Sequence, residues 1–165
     1  MAARRNNPAL KKNSYRFLVS ACLAGVNCTY NGKNNLKKRV KKLVSNFIAL
    51  PVCPEILGGS PVPRVTCEIS GGGGNDVLDG TAKVITPSGR DISKKMILGA
   101  RKTLLLARRY GIRKAILKSK SPSCGYGRIY DGSFRRVLKN GDGVTAAFLR
   151  RNKIKIYSEK DRYYA

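Results

Sequence analysis

Three cysteines stand where short apolar runs give way to turn formers. They are Cys22 in Ser20-Ala21-Cys22-Leu23-Ala24-Gly25, Cys53 in Val52-Cys53-Pro54-Glu55, and Cys124 in Ser121-Pro122-Ser123-Cys124-Gly125. In an open parallel sheet, the loops at the carboxyl ends of the strands meet in one crevice. Three thiolates from distant segments can therefore converge on one metal centre. Glu55 would bring a carboxylate two residues from one of them. The chain has no histidine, which excludes a Cys₂His₂ finger, a Ser-His-Asp triad and a histidine general base.

Thiolates suit zinc or iron–sulfur clusters. A zinc ribbon normally shows paired Cys-x-x-Cys knuckles, and none occurs; the nearest pair is Cys22 and Cys28, with Gly25 between them. Zinc would need a fourth donor, Cys28 or Cys67. A cluster held by three scattered cysteines leaves one iron without a protein ligand, free to act as a Lewis acid toward a soft atom such as sulfur. Any one cysteine is more often a small buried hydrophobe than a ligand, so the argument rests on their shared position. The Gly71–Gly74 run lacks the Lys-Ser/Thr and the strand–turn–helix context of a phosphate loop.

The elements that must position these residues read as follows. Phe17–Ala21 is a buried strand, and Phe47–Val52 a second, with Pro51 at its end or at a sheet edge. Leu36, Val40, Leu43 and Val44 fall on one face of a helix between them. Residues 58–80 are rich in glycine and read as a long functional loop. Thr81–Thr86 is a short strand. Asp91 or Ser93 caps a helix running to Tyr110, with Gly111 closing it and Met96, Ile97, Ala100, Leu104 and Ala107 on its buried face. Lys114–Lys118 is the strand that delivers Cys124. Asp142 caps a further helix through Val144, Ala147 and Phe148, and Ile154–Tyr157 is a last strand. The alternation predicts an α/β fold, a single-domain Rossmann-like three-layer sandwich with a mostly parallel sheet. Residues 1–14 read as a basic disordered arm and 15–165 as the domain.

The chain has 165 residues, with 34 Lys plus Arg against 9 Asp plus Glu, a net charge of +25; the first acid is Glu55. Such an excess points toward a polyanion, nucleic acid first. Lys94, Arg101 and Arg108, with Lys95, Lys102 and Arg109, recur every seven residues as a basic helix stripe. RNA or tRNA contact is thus an expectation, although aromatics are sparse and no RNA-binding motif is present. No apolar run is long enough to cross a membrane, and the start lacks a secretory h-region. A cytoplasmic protein with reduced cysteines is expected, with organelle targeting the lesser alternative.

Taken in order, Ser20–Gly25, Tyr30-Asn31-Gly32, Val52–Gly59, Pro63-Arg64, Asp79-Gly80, Lys118–Gly125, Ile129–Gly132, Gly141–Thr145 and Ile156–Glu159 resemble the thiouracil desulfidase family. The resemblance covers about residues 15–160. It implies a small α/β domain carrying a [4Fe-4S] cluster held by Cys22, Cys53 and Cys124, with Cys28 an additional candidate. It also implies non-redox removal of sulfur from 2-thiouracil or a related thiolated pyrimidine, releasing sulfide. Glu55 would be the acid/base, and Ser121 would contact substrate or water. Tyr30-Asn31-Gly32 departs from the family's usual Tyr-Asp-Gly, and Cys67 stands where a small residue is usual. The alternative expectation is a basic RNA- or ribonucleoprotein-associated protein with a structural or vestigial metal site.

Overall fold

The computed structural model describes residues 15–161; the basic arm assigned to residues 1–14 lies outside them. Four short strands form a parallel sheet: β1 (Phe17–Ser20), β2 (Ala49–Val52), β5 (Lys114–Leu117) and β8 (Lys155–Ser158), in the order β2-β1-β5-β8. Two antiparallel hairpins stand beside it, β3 (Glu68–Ser70) with β4 (Lys83–Ile85) and β6 (Arg128–Tyr130) with β7 (Leu138–Asn140). The helices are α1 (Lys38–Ser45), α2 (Pro54–Leu57), α3 (Gly74–Asp79), α4 (Ser93–Arg109) and α5 (Val144–Arg151), and a 3₁₀ turn follows β1 at Ala21–Ala24.

Side chains of a strand alternate between the sheet's two faces, and both faces here are covered. Leu18, Ala115, Leu117 and Ile156 pack with Leu104 and Ala107 of α4 and with Ala146 and Leu149 of α5. Phe17, Val19 and Ile116 pack on the opposite face with Val40 of α1. This double burial explains why β1 and β5 read as unbroken apolar runs, and the expected three-layer α/β sandwich is the architecture observed. A third cluster, with Ile69, Val84, Met96, Ala100, Ile129 and Val144, ties the hairpins to α4 and α5.

Several local expectations need correction. The second strand starts at Ala49, because Phe47 is exposed and has φ 56°. Pro51 does lie on an edge strand, where its missing N–H costs no ladder bond. Leu36 precedes α1 and is exposed. The 58–80 segment holds β3 and α3, with Gly73 and Gly74 opening the helix and Gly80 closing it. Asp142 does not cap α5; its carboxylate accepts Gly127 N and Arg150 Nη1 at 2.8 and 2.6 Å, and Gly143 takes the cap position. Asp91 bonds Ser93 N at 2.9 Å, but the N-cap backbone position of α4 is Ile92. Gly111 follows the helix with φ 66°, as a C′ glycine does.

Candidate metal centre

Parallel strands end on one side of their sheet, and β2, β1 and β5 are neighbours there. Cys53 directly follows β2, Cys22 lies in the turn after β1, and Cys124 sits on the loop after β5. All three line one cavity of about 780 Å³, together with Glu55 and Ser121. Cys28 and Cys67 line it as well, so the structure brings every candidate site residue to one place. None of the five cysteines is in a disulfide.

The loop carrying Cys124 is held by side chains rather than by packing alone. The Ser121 hydroxyl oxygen accepts Ser123 N at 3.1 Å and Cys124 N at 3.0 Å. A hydroxyl has one proton and two acceptor sites, so Ser121 orders the loop and keeps its O–H to donate. At the loop's start, the Glu159 carboxylate accepts both Ser119 N and Ser119 Oγ, at 2.8 and 2.7 Å. The Ser20 hydroxyl accepts Lys118 N at 3.0 Å and ties this loop to the end of β1. Ser123 Oγ and Thr145 Oγ1 are 2.9 Å apart in the interior, anchoring the loop to α5.

Cys53 occupies the N-cap position of α2, with Pro54 at N1 and Glu55 in the first turn. Pro suits N1 because its missing N–H has no helical partner there. Glu55 meets Arg64, whose Nε donates to Oε2 at 2.7 Å; both side chains are largely buried. Arg64 Nη2 also donates to the Cys28 carbonyl at 3.1 Å, so one guanidinium links the carboxylate to the Cys22–Cys28 loop. Burial works against the Arg64 charge, but Glu55 outweighs it and raises the Arg64 pKa. Arg64, Lys118 and Glu159 appeared in the sequence only as parts of motifs. A lone arginine after a proline carries no sign of which carboxylate it will reach.

The thiols form a coupled group. Cys28 hydrogen-bonds to both Cys22 and Cys53, which lowers the Cys22 pKa and brings Cys53 down to about 6, while Cys28 itself is driven far up. Burial pushes Cys67 up to about 12, and it raises fully enclosed Cys124 as well. Cys53 is thus biased toward thiolate, which is the ligating form. Among the described residues no three Cys, Asp or Glu gather tightly enough to hold a single metal ion. Zinc requires donors packed round one ion. Thiolates are also the ligands of iron–sulfur clusters.

Asn31 occupies the acid's place in Tyr-Asp-Gly without losing the turn. Its Oδ1 accepts Thr29 Oγ1 at 2.7 Å and Lys33 N at 3.3 Å, and a neutral amide oxygen suffices for both. The six cations of the α4 stripe are exposed. No helix among the described residues is long and apolar enough to cross a membrane.

The profile of the 2-thiouracil desulfurase family matches residues 17–161. An uncharacterised protein of Bacillus subtilis strain 168, YbbK, is 46% identical over 145 residues, covering 88% of this chain and 96% of that protein. The solved structure of the [4Fe-4S]-dependent thiouracil desulfidase TudS superposes with a TM-score of 0.78 at 39% identity, covering 88% of this chain and 91% of that one. The alternative of a basic RNA-associated protein gains no support from these matches. The chain belongs to the 2-thiouracil desulfurase family.

Proposed function

We propose that this member of the 2-thiouracil desulfurase family removes sulfur from 2-thiouracil or a related thiolated pyrimidine without net redox change. The site would be a [4Fe-4S] cluster held by Cys22, Cys53 and Cys124. The observation that carries the reading is the convergence of these three cysteines with Glu55 and Ser121 on one cavity. A cavity of this size admits a pyrimidine beside a cofactor. The unliganded iron of such a cluster supplies a Lewis acid for the soft sulfur of the substrate.

The overall change is C=S plus water giving C=O plus hydrogen sulfide; the water oxygen replaces sulfur on the ring carbon, and both water protons leave with the sulfide. Arg64 occupies Glu55 Oε2, and among the described residues no hydrogen bond is made to Oε1. That oxygen can take a proton from the attacking water and later return it to the departing sulfide, as a general base and then acid. With no histidine in the chain, a carboxylate is the natural carrier of this proton. Ser121 O–H can donate to a ring oxygen or to the water. Lys118 also lines the cavity, and its positive charge favours the negative charge that develops on sulfur as the C–S bond breaks, before the proton from Glu55 arrives. Reduced cysteines are required throughout, which fits a cytoplasmic setting.

The test is anaerobic reconstitution with iron and sulfide, followed by assay of uracil and sulfide formed from 2-thiouracil, with Cys22→Ser, Cys53→Ser and Cys124→Ser alongside. The wild type should load four irons and turn over, and each variant should lose both properties. A fully loaded wild type that leaves thiolated pyrimidines intact would overturn the proposal.

A further inference from the structure

Five described non-glycine residues have left-handed backbone angles: Phe47, Lys120, Phe134, Arg136 and Lys153. This conformation is costly for side chains with a Cβ, and it persists where the surroundings impose it. Three of the five, Lys120, Phe134 and Arg136, line the same cavity as the cysteines. Two of those belong to the connection between β6 and β7, residues 131–137.

That connection is held by a buried acid. Glu68, 8% exposed at the start of β3, uses Oε2 to accept Gly132 N and Phe134 N, each at 3.0 Å. Gly132 lies directly on β3: a Cβ there would come within 2.7 Å of Ile69 O. Asp131 Oδ1 accepts Ser133 N at 2.9 Å, and Lys139 Nζ donates to the carbonyls of Asp131 and Ile69 at 3.2 and 3.4 Å. A buried carboxylate is a costly anchor for a surface loop unless the loop's position matters. Its two bonds fix the amide of the one phenylalanine on the cavity wall.

Building on the desulfidase reading, we infer that Phe134 is a substrate-binding residue that stacks on the pyrimidine ring, and that Glu68 is the positioning residue that aims it. A thiolated pyrimidine is flat and poor in hydrogen-bonding groups on its faces. Holding its sulfur on one spot needs an apolar plane as well as edge contacts, and aromatic rings supply such a plane at low conformational cost.

The experiment uses the reconstituted protein and two readouts, turnover of 2-thiouracil and calorimetric binding of uracil, which has no sulfur. Phe134→Ala and Phe134→Leu should raise KM and the uracil Kd about tenfold, the usual loss for one stacked base. Cluster content should be unchanged and kcat within about threefold, and Phe134→Tyr should restore both constants. Glu68→Ala should raise KM in the same way, Glu68→Gln should recover most of it, and adding Glu68→Ala to Phe134→Ala should cost nothing further. Unchanged KM and uracil affinity in Phe134→Ala would overturn the inference, as would a wild type that fails to bind uracil. If the loaded wild type binds uracil but releases no sulfide, the desulfidase reading fails, and the uracil affinities still decide the role of Phe134.

Discussion

Gly99 offers a test of how α4 places the Cys53–Glu55 segment. It sits in mid-helix without a left-handed φ, so its role is close approach. A Cβ built there would lie 2.0 Å from Pro54 O and 2.8 Å from Pro54 C. Both are backbone atoms and cannot swing aside. Contacts below 3.0 Å are essentially never seen, and ordinary contact begins at 3.4 Å. Gly99→Ala must therefore separate α4 from α2 by about 1.0–1.4 Å along this line. Pro54 lies between Cys53 and Glu55, so both move with it. Overpacking costs about 1–3 kcal/mol, and the better helix propensity of alanine returns about 1 kcal/mol. The net loss of about 0–2 kcal/mol lowers Tm by at most roughly 8 °C in a chain of this size. Activity should suffer more, because a misplacement of about 1 Å at reacting groups costs on the order of 100-fold. The assay is kcat/KM for 2-thiouracil and thermal melting, with exposed Leu105→Ala as the neutral control. A Gly99→Ala protein with wild-type turnover would refute the claim that this contact sets the position of Glu55.

Glu55→Gln should keep full iron content and lose about 10²–10⁴-fold in kcat, the range for removing a general acid or base; iron analysis beside the turnover assay checks both halves. Ser121→Ala removes the acceptor for two loop amides and should lower iron retained after desalting, with Ser121→Thr recovering part of it. If Cys22, Cys53 and Cys124 hold the cluster as proposed, Cys28→Ala should load the same four irons as wild type, and a loss of one iron equivalent would make Cys28 a ligand. Arg151 holds the Asp79 carboxyl below its ordinary value. The folded-state pKa is the depressed one, so the stabilisation is present above about pH 4 and fades as pH falls through the folded value. The Tm difference between wild type and Arg151→Ala should accordingly be small, constant from pH 5 to 7, and shrink below pH 4.

The parallel core was legible because β1 and β5 are buried on both faces and so carry the apolar runs Phe17–Val19 and Ala115–Leu117, which also mark where each strand nears its cysteine loop. Phe47 misled for the opposite reason: its hydrophobicity suggested a strand interior, while its backbone turns away and exposes the ring. Residues 58–80 looked structureless because β3 is only three residues long, too short for periodicity, and owes its existence to pairing with β4. Asp142 has the residue type of a cap, yet Arg150 and Gly127 claim it from the sides. The ligand candidates and Glu55 announced themselves by type and neighbours. Arg64, Glu159 and Glu68 act through contacts 9, 40 and 66 residues away, which no local window records.

The adjacency of β2, β1 and β5 also sets a schedule for biosynthesis. Cys22 and Cys53 leave the ribosome early, but β5 and Cys124 follow 71 residues after Cys53. At about 5–20 residues per second, that interval is roughly 4–14 s. During it β1 has its partner on one side only, and the nascent chain offers Cys22 and Cys53 without Cys124. If these three cysteines hold the cluster as proposed, its insertion waits until β5 and Cys124 have emerged and paired. Cells short of iron should accumulate a folded, empty form rather than a partly loaded one.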